Sequence, residues 1–169
     1  IQREHKLNIL LVEDCDSERY LLAELITAMG HQIIDVNCAE MALDYLSGNQ
    51  VDLVITDWMM PSMSGIELCK ILKHTRNCPD TSPYTILLTG NRGNSHIVEG
   101  INSGADDYLA KPFNPAVLQA RVYAGERIIN MQRQLTQKNN SLSQLLAKEQ
   151  QYLNSVKQDL ALAAQLQQA

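Results

Sequence analysis

Between residues 8 and 113 the chain repeats one theme: a short apolar run ends in a polar residue and is followed by an amphipathic stretch. The runs are Ile9–Val12, Ile33–Val36 (broken by Asp35), Leu53–Ile55, Ile86–Leu88 and Tyr108–Ala110. Most do not alternate with polar residues, and they are rich in Ile, Val and Leu. Continuous runs of this kind read as strands buried on both faces of a parallel sheet. Helices are expected between them, near 17–29, 39–47, 65–76 and 95–103. Strands and helices alternating at this interval predict an α/β fold with right-handed crossovers. Ser64 and Glu67 have the spacing of a capping box. Asn114 before Pro115 puts a good N-cap ahead of proline at the first helical position. Gly30, Gly48 and Gly104 stand where helices should stop.

After Pro115 no stop signal follows, and the composition turns to Gln, Asn, Leu, Ala and Lys. A heptad frame places Leu135, Asn139, Leu142, Leu146, Glu149, Leu153, Val156, Leu160 and Ala163 on one seam, of which seven of nine are apolar. A narrow apolar seam with polar flanks predicts a coiled coil, and so a homodimer through this helix. Asn139 at an a-type position favours one register, often that of a parallel dimer, and Glu149 is a flaw in the seam. A single amphipathic helix packed on another domain is the alternative. The chain therefore divides into a domain over 7–125 and a helical linker over 126–169. The start at Ile1 and the end at Ala169 suggest a piece of a longer protein.

Bulk properties narrow the function. The net charge is −5 with no basic stripe, which argues against nucleic-acid binding by this segment. The apolar runs are far too short for a membrane span. Cys15, Cys38, Cys69 and Cys78 form no CxxC pair, so a zinc or thioredoxin-type site is not indicated, and a reducing cytosol is expected. His5, His31, His74 and His96 lack metal spacing.

The polar residues that end the runs carry the chemistry. Glu13 and Asp14 end the first run, Asp57 follows the third, and Thr89 and Lys111 follow the fourth and fifth. Open parallel sheets bind ligands outside the carboxyl ends of the strands, where strand order reverses. With order 2-1-3-4-5, Asp14 and Asp57 become neighbours with Glu13 close by, and Thr89 and Lys111 lie on the other side of Asp57. Clustered carboxylates repel unless a cation sits among them, and an all-oxygen site that welcomes phosphate suits Mg²⁺. A carboxylate nucleophile, a metal, a lysine and a hydroxyl are the parts for phosphoryl transfer to aspartate.

The chain resembles the receiver domain of two-component response regulators. The resemblance spans roughly residues 7–125. It rests on Ile9-Leu-Leu-Val-Glu13-Asp14, on Asp57-Trp-Met-Met-Pro61-Ser-Met-Ser-Gly65-Ile-Glu-Leu, on Leu87-Leu-Thr89-Gly, and on Gly104-Ala-Asp-Asp-Tyr108-Leu-Ala-Lys111-Pro112-Phe113. It implies a flavodoxin-like receiver fold extended by a long C-terminal helix. It also implies that Asp57 accepts a phosphoryl group from a sensor histidine kinase or phosphotransfer protein. Asp14 would ligate Mg²⁺ directly, Glu13 through water, and Met59 through its backbone carbonyl. Lys111, before a cis bond to Pro112, would hold the phosphoryl group. Thr89 and Tyr108 would be the switch pair. Met59 and Asn91 would tune hydrolysis, and an apolar Met59 implies a phosphoryl group that persists for minutes or longer. The stretch Asp159–Ala169 resembles the lead into a metal-dependent serine/threonine phosphatase effector. Glu13 stands where many members have Asp, and Gly90 where Ala is frequent.

Two other readings compete. Asp14-Cys15-Asp16 after a strand imitates the nucleophile motif of haloacid-dehalogenase-type phosphohydrolases. That reading leaves the Asp57 loop unexplained, and Asp106-Asp107 precede Lys111 where a following pair is wanted. A receiver that only dimerises, without phosphorylation, is the other. Taken singly, Thr89 reads as a strand residue, Tyr108 as core and Lys111 as a surface lysine; only their shared placement lifts them. No Gly-rich loop follows the first run, which disfavours a nucleotide- or flavin-binding domain.

Overall fold

The computed structural model describes residues 6–75, 82–90 and 93–169. Five parallel strands, β1 (Asn8–Val12), β2 (Gln32–Val36), β3 (Leu53–Asp57), β4 (Tyr84–Thr89) and β5 (Asp107–Ala110), form one sheet in the order 2-1-3-4-5. The helices between them are α1 (Asp16–Ala28), α2 (Ala39–Gly48), α3 (Gly65–Thr75) and α4 (Asn94–Asn102), and α5 (Pro115–Gln167) follows the last strand. This is the expected α/β fold, reached by the expected strand order.

Successive strand residues point to opposite faces, and both faces are filled. On one side Ile9, Leu11, Leu53, Ile55, Ile86 and Leu88 pack with Leu22 and Ile26 of α1 and Leu118, Val122 and Ile129 of α5. On the other, Leu10, Val12 and Val54 pack with Ala39, Ala42 and Leu46 of α2 and Leu68 and Leu72 of α3. The central strands are therefore apolar along their middle residues, with polar residues at or near their ends. β2 departs from the expectation: Ile34 and Asp35 are exposed because β2 is an edge strand.

Local signals set the helix ends. The amide of Ser64 donates to Glu67 Oε2 at 2.8 Å and the amide of Glu67 to Ser64 Oγ at 3.2 Å, a reciprocal capping box. Asn114 Oδ1 accepts from the Ala116 amide at 2.9 Å, with Pro115 first in α5. Gly30 and Gly104 take the left-handed conformation after α1 and α4 (φ 92° and 96°). α2 stops at Gly48, as expected, but without a left-handed residue there. The Asn49 amide side chain closes the end by donating to the Tyr45 carbonyl at 2.9 Å.

Chain contacts divide the molecule into Ile1–Asn130 and Met131–Ala169. The second unit is wholly helical up to Gln167, and its large apolar side chains other than the half-buried Val156 are exposed. Among the described residues no helix is long and apolar enough to cross a membrane.

Candidate functional site

The carboxyl ends of β1, β3, β4 and β5 carry Glu13-Asp14, Asp57, Thr89 and Lys111. The register pairs Val12 with Thr56, Asp57 with Leu88, and Thr89 with Ala110. The sheet thus gathers residues from four strands at one edge. Glu13, Asp14 and Asp57 each offer a carboxylate oxygen, all within 4.8 Å of one another. Glu13 and Asp57 are 1% and 8% exposed, whereas Asp14 faces solvent. Two buried oxygens beside one open to water form a donor set that fits a hard cation which keeps water ligands.

Lys111 lies against this cluster. Its Nζ is 3.0 Å from Glu13 Oε2, 3.2 Å from Asp57 Oδ1 and 2.5 Å from Glu18 Oε2. Burial pushes the Asp57 and Glu13 carboxyls up from their ordinary values, against the pull of the lysine. Burial opposes the charge on Lys111 too, but hydrogen bonds to Glu18 and Glu13 and the charge of Asp57 outweigh it, so the ammonium is held above its ordinary range. The Lys111–Pro112 bond is cis, and the Lys111 amide donates to the Thr89 carbonyl at 2.6 Å.

The remaining expected residues surround the cluster. Thr89 is buried at the end of β4, 4% exposed. Tyr108 is half-buried and, like Trp58, packs against the cluster of Ile66, Cys69 and Leu87. Trp58 meets His96 edge to face, with ring centroids 5.4 Å apart. Met59, two residues past Asp57, is 76% exposed. Asn91, Cys78 and His5 lie outside the described residues.

Two residues escape a reading from the sequence. Glu18, in the first turn of α1, reaches Lys111 across 93 positions of sequence. Arg19 donates to the Glu13 carbonyl at 2.9 Å and to Asp35 at 3.0 Å, tying the acidic loop to α1 and β2. Only the Asp16–Arg19 spacing, an i,i+3 pair, was open to sequence inspection. Gly65 is also fixed by the site. A Cβ there would stand 2.1 Å from the Asp57 carbonyl oxygen.

A parallel sheet with acidic residues at the switch point and a lysine from the last strand defines a phosphoryl-transfer receiver. The profile described as "Response regulator receiver domain" matches residues 9–123, and the chain belongs to that family. It is 36% identical over 157 residues to the transcriptional regulatory protein CpxR of Escherichia coli, covering 93% of this chain and 65% of CpxR. It is 36% identical over 124 residues to the transcriptional regulatory protein AfsQ1 of Streptomyces coelicolor, covering 71% of this chain and 53% of AfsQ1. The chain thus spans about half to two thirds of the length of these relatives. Among solved structures, the BeF₃-activated DrrB receiver domain superposes with TM-score 0.65 at 29% identity, covering 73% of this chain and 99% of that one. The Francisella response regulator 1452 receiver domain does so with TM-score 0.67 at 28% identity, covering 72% and 98%. The chain is a two-component signalling domain. Members of its family are phosphorylated on aspartate by histidine kinases and bind Mg²⁺ at an acidic pocket.

Proposed function

We propose that Asp57 is the phospho-acceptor, and that Glu13, Asp14 and Asp57, with the Met59 carbonyl, hold Mg²⁺. The observation that carries this reading is the cluster of three carboxylates with Lys111 Nζ 3.2 Å from Asp57. When bound, Mg²⁺ neutralises charge on the phosphoryl oxygens and on the acidic cluster. Asp57 supplies the nucleophilic oxygen. Lys111, held charged between Glu13, Glu18 and Asp57, orients a phosphoryl group by its ammonium. Thr89 presents a hydroxyl at the end of β4 and is drawn toward the phosphoryl oxygens, and Tyr108 follows inward. The phosphoryl group so favours one of two packings of the β4–β5 face.

The output is a change in dimerisation through Leu135, Asn139, Leu142, Leu146, Leu153, Val156 and Leu160. The domain over 7–125 switches, and the helix over 126–169 leads to an effector. The Ala/Gln/Leu ending of this helix favours a serine/threonine phosphatase effector. A second reading, an effector that acts on DNA, is favoured by the relatives named transcriptional regulatory proteins.

The test is intact mass after Mg²⁺ with acetyl phosphate, on wild type and Asp57→Asn. Metal-dependent modification lost in the mutant is expected. Because the apolar Met59 cannot orient an attacking water, the adduct should decay over minutes or longer. Modification of Asp14 in place of Asp57 would overturn the assignment in favour of the phosphohydrolase reading.

A further inference from the structure

The C-terminal helix carries a pattern that the seam alone does not absorb. Between Leu135 and Leu153 the seam is a palindrome about Gln144: Leu142 mirrors Leu146, Asn139 mirrors Glu149, and Leu135 mirrors Leu153, while Val156, Leu160 and Ala163 lie beyond the mirrored stretch. The five leucine-and-tyrosine positions Leu135, Leu142, Leu146, Leu153 and Tyr152 are 46–70% exposed along an unbroken helix. Leu145 and Tyr152, both off the seam, are 63% and 70% exposed and share a column with Lys138.

We infer that the occupant of this face is a second copy of the chain running antiparallel, with its two-fold axis at Gln144. The inference rests on the homodimer reading above, replaces the parallel register that Asn139 alone favours, and confines the seam to Leu135–Leu153. In a parallel, in-register pair each seam residue meets its own copy. Glu149 would then meet Glu149 in the seam, two like charges deprived of water. In the antiparallel pair the mirrored positions meet instead. Leu142 packs on Leu146, Leu135 packs on Leu153, and the Asn139 amide donates to the Glu149 carboxylate of the second copy. Both polar seam residues are satisfied, twice by symmetry.

The flanking column argues the same way. In an antiparallel pair the two copies of the Lys138, Leu145 and Tyr152 column lie on the same side of the seam. Leu145 meets Leu145 near the axis, and the Lys138 ammonium and stem meet the Tyr152 ring. In a parallel pair this column faces Gln150 and Lys157, and the two exposed apolar strips stay apart on opposite sides. Complementarity in the seam and pooling of the flanking apolar column are separate observations with one solution.

The orientations predict opposite signs for one substitution in the full chain. Asn139→Lys places an ammonium against Glu149 of the second copy in the antiparallel pair, and against its own copy in the parallel one. The dimer dissociation constant should fall by roughly tenfold, read by light scattering across a dilution series with Mg²⁺ and beryllofluoride. Adding Glu149→Lys should undo the gain. In a second measurement, Cys15, Cys38, Cys69 and Cys78 are replaced, and Leu142→Cys and Leu146→Cys are oxidised alone and mixed. A disulfide in the mixture but in neither variant alone supports the antiparallel pair. Weakening by Asn139→Lys, or a disulfide in Leu142→Cys alone, would overturn the orientation and leave the homodimer standing. A chain that stays monomeric with and without beryllofluoride would remove the homodimer reading and this pairing with it.

Discussion

At the residue scale the site is held by contacts that leave little freedom. Gly65 opens α3 with its amide donating to the Trp58 carbonyl at 3.0 Å, and its missing side chain lets the Asp57 backbone pass. The obstacle to a larger residue is a carbonyl oxygen and not a rotatable side chain, so backbone must move. Gly65→Ala should therefore cost about 1–3 kcal/mol, measured by urea denaturation, and should slow modification of Asp57. The cysteines divide by environment. Burial pushes the Cys69 thiol up to about 12, whereas Cys15 is exposed and its thiol is lowered by a hydrogen bond from Ser17. Thiolate is the reactive form. Alkylation near pH 8 followed by peptide mapping should label Cys15 in the native protein and Cys69 only after unfolding. Cys69 should remain a thiol across the whole neutral range, so raising the pH to 9 should not change its labelling.

At the scale of elements, α3 and α5 are placed by a side-chain cap at their entry and an apolar face, whereas α1, α2 and α4 start without a side-chain cap. In α3 the Ser64–Glu67 box satisfies two amides that would otherwise lack partners. Ser64→Ala should lower stability by about 1 kcal/mol, seen as a lower urea midpoint with an unchanged slope. The loop between Asp57 and this cap is short, so fraying of α3 should also loosen the Asp57 loop. In α5, Leu118 and Val122 are 1% and 0% exposed. Each such side chain contributes about 1.5–3 kcal/mol, which fixes the opening turns of the helix against the sheet. Among the described residues none beyond Met131 is buried in this way, and the apolar side chains there are the surface that the proposed second copy would cover.

At the scale of the whole molecule, the proposed signal runs from a charge change at Asp57 to the association of C-terminal helices. A ligand shifts a two-state equilibrium only by its differential affinity for the two states. Phosphorylation mimicry should therefore move the monomer–dimer equilibrium in proportion to how far the site prefers one packing. Light scattering with Mg²⁺ and beryllofluoride should show an altered mass in wild type and none in Asp57→Asn. An unaltered response in the mutant would separate dimerisation from phosphorylation and leave the scaffold reading.

Much of this was legible in the residues themselves. Apolar runs of uniform character marked the central strands because residues buried on both faces have no polar side to show. The polar residue closing each run marked the site, because ligands gather at strand ends. Ser64, Glu67, Asn114 and Pro115 announced their caps through local chemistry. What the tertiary structure decided was of a different kind. The exposure of β2 follows from its place at the sheet edge, which its own residues do not encode. α2 ends at Gly48 as its sequence suggests, but the closing hydrogen bond comes from the Asn49 side chain to the Tyr45 carbonyl. Glu18 and Arg19 join the site only because α1 packs beside β1 and brings them to Lys111 and the Glu13 carbonyl. Local interactions are written in neighbouring residues and can be read there; contacts between residues 93 positions apart exist only after the sheet has set the distance.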